Sequence, residues 1–224
     1  MIEKISKIVI ALFALLVGLY PASYFLLDRT FGLLSTKSNE LLGNMYWNGT
    51  FYIHIILGGI ALLIGWMGFN TRIRINNLSL HRVIGKIYIS AALVSSLAGI
   101  GLSFFATGGW IPSIGFLCLG GLWFTTTLFA YQKIRNLQVE SHRRLMIYSY
   151  SICFAAVTLR IWLPLLIMWT GDFVTAYSIV AWLCWVPNLL VAYFIVRNLK
   201  PYFLPQTHTV AKEHEENRSR SFAP

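Results

Sequence analysis

Six long apolar segments, separated by short polar ones, divide the first 200 residues of the chain. They cover approximately residues 8–27, 51–69, 87–105, 114–131, 145–169 and 173–196. Each is close to or longer than the roughly 20 residues with which an α-helix crosses a hydrocarbon layer of ~30 Å. The strict alternation of apolar and polar residues that membrane barrels show is absent. Since only helices and closed barrels satisfy their backbone groups in lipid, the pattern predicts an all-α bundle of six transmembrane helices.

Composition supports a membrane environment and a single domain. Of 224 residues, 57% are hydrophobic and only 12% are charged, and no polar loop between the segments is long enough to fold by itself. Residues 201–224 break the apolar pattern with three prolines and several charges, and they predict a polar, disordered tail behind a helical domain of residues 1–200.

The basic residues predict the orientation of the bundle. Fifteen of the 18 lysines and arginines lie before the first segment, after the sixth, or in the second-to-third and fourth-to-fifth loops. Because short loops rich in Lys and Arg stay in the cytoplasm, we expect both termini there, in a multi-pass protein of a bacterial inner membrane. The net charge of +10 then reflects topology and attraction to anionic lipids. It predicts membrane lipids as partners and no nucleic acid.

Two His-Arg pairs, His81-Arg82 and His142-Arg143, stand shortly before the third and fifth segments. We expect Ser79 and Ser141, which shortly precede the two histidines, to cap the helices, which places both histidines in first turns at the cytoplasmic end. Neutral imidazole suits a haem iron, and a guanidinium suits a propionate. The pairs therefore predict a b-type haem ligated through its iron by His81 and His142, with Arg82 and Arg143 near the propionates.

A second candidate site lies in the outer half of the bundle. Arg160 is near the centre of the fifth segment, where a charge is costly in lipid and must face protein or water. Counted at ~1.5 Å per residue, its side chain reaches the depth of His54 in the second segment. We therefore expect a polar pocket on His54 and Arg160 for a quinone head, a carboxylate or a haem propionate.

Several segments of the sequence resemble an uncharacterised bacterial membrane-protein family, domain of unknown function 2306. They are His54 with Gly58, and residues 81–88, 122–126, 142–150 and 154–160. The resemblance covers roughly residues 50–165 and implies no established activity. Arg144 departs from it, standing where such sequences more often carry an aromatic residue.

The arrangement also resembles, in outline, the six-helix membrane reductases of the di-haem cytochrome b superfamily. In those proteins four central helices hold two stacked haems through paired histidines. The resemblance implies at most one such haem, at His81 and His142. A second haem lacks a ligand, because the counterpart of His54 in the fourth segment is Gly115.

Three functions stay open, and we favour electron transfer through haem b. The alternatives are a bundle without redox chemistry that binds or transports a small lipophilic or anionic molecule at His54 and Arg160, and a structural partner whose His-Arg pairs hold lipid phosphates. Whether the protein is an enzyme stays open. Its eight acidic residues form no catalytic pair, and no phosphate loop, HExxH or serine elbow appears. Oligomeric state stays open too.

Overall fold

The computed structural model describes residues 2–26 and 32–200, with side chains from residue 9 onward. The predicted tail, residues 201–224, lies outside the described residues. The helices are α1 Ile2–Leu19, α2 Ser23–Leu26, α3 Asn39–Gly43, α4 Met45–Gly65, α5 Thr71–Asn76, α6 Leu78–Ser103, α7 Trp110–Arg135, α8 Val139–Cys153, α9 Ala155–Thr170, α10 Phe173–Leu183 and α11 Val186–Arg197. Short 3-10 turns cover Tyr20–Ala22, Gly32–Thr36 and Trp66–Phe69. Ranges 2–26 and 32–200 contain no strand.

Six stretches are long and apolar enough to cross a membrane, which confirms the predicted helical class and number of spans. They are Val9–Leu26, Met45–Phe69, Leu78–Ser103, Trp110–Arg135, Val139–Thr170 and Phe173–Arg197. Their outward surface carries large apolar side chains such as Leu97, Phe129 and Leu190, each at least half exposed. An apolar exterior of this extent is stable in contact with lipid, whereas its exposure to water would be unfavourable.

Helices α6 and α8 begin several residues before the apolar segments, because they include polar residues at their N-terminal ends. The α6 helix begins at Leu78, where Asn77 accepts a hydrogen bond from the Leu80 N–H at 2.9 Å. The expectation that Ser79 and Ser141 cap these helices was wrong, because the N-cap positions are Asn77 and Gln138. In α8 the N-cap position is Gln138, which makes no capping bond with its side chain. His81 and His142 still lie in first turns, since their N–H groups bond to the carbonyls of Asn77 and Gln138.

Consecutive spans pack side by side as antiparallel neighbours. The α4 helix packs on α6, α6 on α7 and α7 on α8, while α1 covers α4, α10 covers α7 and α9, and α11 covers α8. The two loops that precede α6 and α8 therefore lie at one end of the bundle, called here the basic end. A core of buried side chains fills the centre between these helices, including Leu62, Tyr88, Trp123, Tyr150 and Val157.

Glycines allow α1 and α4 to approach closely. A Cβ atom at Gly59 would lie 2.7 Å from the carbonyl oxygen of Gly18 and 3.1 Å from Pro21. The first of these neighbours is backbone, so it cannot rotate away.

We therefore expect Gly59→Ala to lower the free energy of unfolding by about 1–2 kcal/mol, because the whole N-terminal helix must shift. Thermal unfolding in detergent measures it. The matched control is Gly121→Ala, since a Cβ at Gly121 meets nothing within 4 Å. Equal melting temperatures for the two variants would contradict the close contact.

The fifth and sixth spans are each broken, which the apolar pattern did not predict. Helix α8 ends at Cys153 and α9 starts at Ala155, while α10 ends at Leu183 and α11 starts at Val186. The Asn188 amide lies between the two breaks and donates to the carbonyl of Ser151 at 3.2 Å and that of Cys184 at 3.0 Å. It also donates to the Thr158 hydroxyl at 3.1 Å. One side chain thus satisfies backbone groups that both breaks leave open.

Candidate functional site

A cavity of about 580 Å³ lies among α4, α6, α7, α9, α10 and the chain around the first 3-10 turn. This volume falls within the range of small-molecule pockets, roughly 300–1,000 Å³. The α6 residues that line it run from Ser96 to Ser103, whereas His81 lies in the first turn of the same helix, about 22 Å from Ser96 at ~1.5 Å per residue. The cavity therefore occupies the half of the bundle opposite the basic end.

His54 and Arg160, the two residues of the second candidate site, both line this cavity. They come from α4 and from the first half of α9, and they lie within electrostatic range of each other. The remaining wall is mostly apolar and contains aromatic side chains, including Trp47, Phe51 and Phe116. The site is an apolar chamber with a few polar groups.

His54 is held tightly against α6. Its Nδ1 lies 2.9 Å from the Ser95 carbonyl oxygen, and the Ser95 hydroxyl donates back to the His54 carbonyl at 2.9 Å. A Cβ at Gly99 would lie 3.0 Å from two atoms of the imidazole ring. Glycine at position 99 therefore leaves the space that the ring occupies, and the Ser95 bonds fix its orientation.

Arg160 is one of two charged residues that line the cavity, the other being Lys37. Its Nη1 donates to the Ala156 carbonyl at 2.8 Å, and its guanidinium carbon stands 4.3 Å from the centre of the Tyr20 ring. Its Nε is buried and has no hydrogen-bond partner. Among the described side chains no carboxylate pairs with Arg160. A cation–π contact and one helix carbonyl satisfy a guanidinium only in part, since it has five N–H donors.

Three polar residues of the cavity come from the N-terminal part of the chain, and sequence reasoning missed them. The rings of Tyr20 and Tyr24 meet edge to face at 5.6 Å, and both hydroxyls lie close to Gly32, whose φ of +62° suits glycine. Lys37 donates to the Phe105 carbonyl at 2.6 Å and to the Thr107 hydroxyl at 3.0 Å. Burial lowers the pKa of Lys37. Its only sequence signal was a lysine on the otherwise charge-poor outer side.

The histidines of the basic end do not line this cavity. His81 lies within electrostatic range of His142 and Arg74, and its Nδ1 is buried without a hydrogen-bond partner. His142 Nδ1 lies 2.8 Å from the Ala130 carbonyl, which leaves its Nε2 for a ligand.

The arginines of the two pairs are not directed at the histidines. Arg143 donates to the Lys200 carbonyl at 3.0 Å and lies 3.8 Å from the Glu140 carboxylate. Arg82 is exposed. His81 and His142 are the residues that would hold a haem iron here, whereas the Arg143 guanidinium already contacts Lys200 and Glu140. No cluster of three or more metal-ligating side chains occurs in the described part of the chain.

A buried chain of hydroxyls separates the two sites. Tyr88 and Ser149 are 2.8 Å apart, Ser149 and Thr127 are 2.7 Å apart, and Thr127 donates to the Trp123 carbonyl at 2.7 Å. Tyr88 follows His81 by seven residues and Ser149 follows His142 by seven, so each pair lies on one helix face. The offset of 61 residues between the histidines recurs in this pair. This continuation of the repeat was visible in the sequence and was overlooked.

Six apolar spans around a cavity that contains polar residues define an integral membrane protein of the polytopic α-helical class. The family model described as "Predicted membrane protein (DUF2306)" matches residues 51–196, and the chain belongs to this family. The matched residues include His54, both His-Arg pairs and Arg160. No curated protein and no solved structure matches the chain significantly.

Proposed function

We propose that the protein binds a small amphipathic molecule in the cavity, with the polar head at Arg160 and His54 and the apolar body between the aromatic walls. The observation that carries this proposal is the guanidinium of Arg160, which lines the cavity with a buried Nε that has no hydrogen-bond partner, and which has no described carboxylate beside it. An intramembrane charge costs at least about 2.5 kcal/mol, so it marks a function more often than a structural contact. An anionic or strongly polar head group would supply its missing partner.

The proposed role is that of a carrier or receptor, without redox chemistry of its own, in a bacterial inner membrane. The bias of lysine and arginine toward the basic end supports a cytoplasmic location for that end. The cavity would then face the outer leaflet, where Lys37 stands beside it.

Binding of an aryl carboxylate tests the proposal. Equilibrium dialysis of the protein in lipid nanodiscs against radiolabelled 2-naphthoate should show one saturable site, with a Kd on the order of 10–100 μM. Empty nanodiscs of the same lipid are the control for partitioning. Uptake that rises linearly in both samples would contradict a site.

A b-type haem at His81 and His142 is a second candidate, favoured by the carbonyl of Ala130 that orients the His142 ring. When bound, haem would supply one-electron redox chemistry, which would make the protein an electron-transfer protein. The two imidazoles would be its ligands, and quinol in the cavity is a suitable electron source in that case.

An absorption spectrum decides this candidate. Protein made in a haem-replete host should show a Soret band and a sharp reduced α-band that His81→Ala and His142→Ala each abolish. His54→Ala is the matched control, since His54 lies in the other half of the bundle and should leave the spectrum unchanged. A colourless, folded wild-type protein would exclude the haem and leave the cavity proposal intact.

A further inference from the structure

We propose that the head group of the ligand combines a hydroxyl donor, which bonds to His54, with an oxygen acceptor or anion, which bonds to Arg160. Hydroxylated aromatic acids and quinols share this chemistry. The inference rests on the proposed function and adds the identity of the head group.

The hydrogen bonds of His54 fix which of its nitrogens carries the proton. The partner of Nδ1 at 2.9 Å is the Ser95 carbonyl, and a carbonyl can only accept. The Ser95 hydroxyl gives its proton to the His54 carbonyl at 2.9 Å, so it does not supply one to Nδ1, from which it lies 3.3 Å. Nδ1 is therefore the protonated nitrogen of the neutral ring, and Nε2 carries a lone pair. A ligand must offer a hydrogen to Nε2.

Arg160 requires a hydrogen-bond acceptor from the ligand, whereas His54 requires a donor. Its guanidinium only donates, and Ala156 takes one of its N–H groups, while Nε has no partner. A ligand must therefore offer a lone pair or a negative charge to Arg160. A plain carboxylate satisfies Arg160 and leaves His54 without a hydrogen, whereas a head group that bears both a hydroxyl and an acceptor oxygen satisfies both residues.

The aromatic walls of the cavity favour a ligand whose apolar part is an aromatic ring or a similarly flat group. Aromatic rings enclose the chamber on several sides, among them Trp47, Phe51, Phe116, Phe173 and Tyr177. The Phe173 and Tyr177 rings stack at 5.3 Å with an angle of 20°, and Trp47 and Phe51 stack at 5.2 Å with an angle of 9°. Flat faces of this kind favour offset stacking with a ring of the ligand.

Matched probes that differ in one hydrogen-bond donor test the inference. The first pair is 4-hydroxy-2-naphthoate and 4-methoxy-2-naphthoate, whose hydroxyl or ether oxygen is too far from the carboxylate for an internal hydrogen bond. The second pair is decylubiquinol and decylubiquinone. Binding to wild-type protein in nanodiscs should be at least about tenfold tighter for the hydroxyl form, because its partner covers Nε2 without offering it a hydrogen.

The His54→Phe variant should abolish this preference and keep 2-naphthoate binding through Arg160, which also shows that the variant is folded. A preference in the naphthoate pair alone assigns an aromatic acid, and a preference in the quinol pair alone assigns a quinol. Equal affinity within both pairs, with saturable 2-naphthoate binding, would overturn the inference and leave the proposed function standing. Absence of any saturable binding, including 2-naphthoate, would overturn both.

Discussion

Methionine in place of Arg160 is expected to weaken the binding of 2-naphthoate at least 30-fold without lowering the melting temperature of the empty protein. The binding loss follows because the guanidinium supplies the only charge-assisted hydrogen bonds to the head group that we assign, and losing a buried charged partner costs about 2–5 kcal/mol. The melting temperature should not fall because the half-buried guanidinium has no described counter-ion, so its removal relieves a desolvation cost.

Equilibrium dialysis and thermal unfolding, run on the same nanodisc samples, measure the two effects of Arg160→Met together. Arg82→Met is the matched control, because Arg82 is exposed at the basic end and should change neither quantity. A large fall in melting temperature with unchanged affinity would show that Arg160 is a structural residue held by Ala156 and Tyr20.

Leucine in place of Asn188 is expected to lower the free energy of unfolding by about 2–4 kcal/mol. Two backbone carbonyls, at Ser151 and Cys184, lose a donor, and each buried unsatisfied group costs about 1–3 kcal/mol. The Thr158 hydroxyl keeps its own bond to the Cys184 carbonyl, which limits the loss. The breaks in the fifth and sixth spans should loosen together, since one side chain serves both.

Thermal unfolding in detergent, with hydrogen exchange of the α8–α9 and α10–α11 junctions, measures this effect. Asn198→Leu is the control, because Asn198 is exposed at the end of α11 and should change stability by less than about 0.5 kcal/mol. Unchanged exchange at both junctions of the Asn188→Leu variant would contradict the shared clamp.

The number and type of the spans could be predicted because a membrane imposes a simple rule, a run of about 20 apolar residues for each helix. The ends of the helices could not be predicted in the same way. The apolar segment begins at residue 87, but α6 also includes residues 78–86, some of which are polar, and Asn77 caps it. No glycine or proline lies near the break at Phe154, so the sequence around it gives no sign of a helix end. It depends on Asn188, a partner more than 30 residues away in sequence.

The only cavity residues that could be predicted from the sequence were those whose side chains carry a high free-energy cost in lipid. Arg160 stands out by its charge, and counting along the helices gave its depth relative to His54. Tyr20, Tyr24 and Lys37 gave no such signal, since an aromatic residue or a lysine near a membrane boundary is ordinary. The carbonyl partners of His54 and His142 belong to neighbouring helices, and only the packing of α4 on α6 and of α7 on α8 reveals them.

Photoaffinity labelling tests the central claim most directly. An aryl carboxylate that carries a diazirine is irradiated with the protein in nanodiscs, and the labelled peptides are identified by mass spectrometry. The account predicts labelling that saturates, is competed by 2-naphthoate, falls within the cavity-lining parts of α4, α6 and α9, and is lost in Arg160→Met. Labelling spread over the lipid-facing side chains, with no response to competitor or to the variant, would contradict a ligand site at Arg160 and His54.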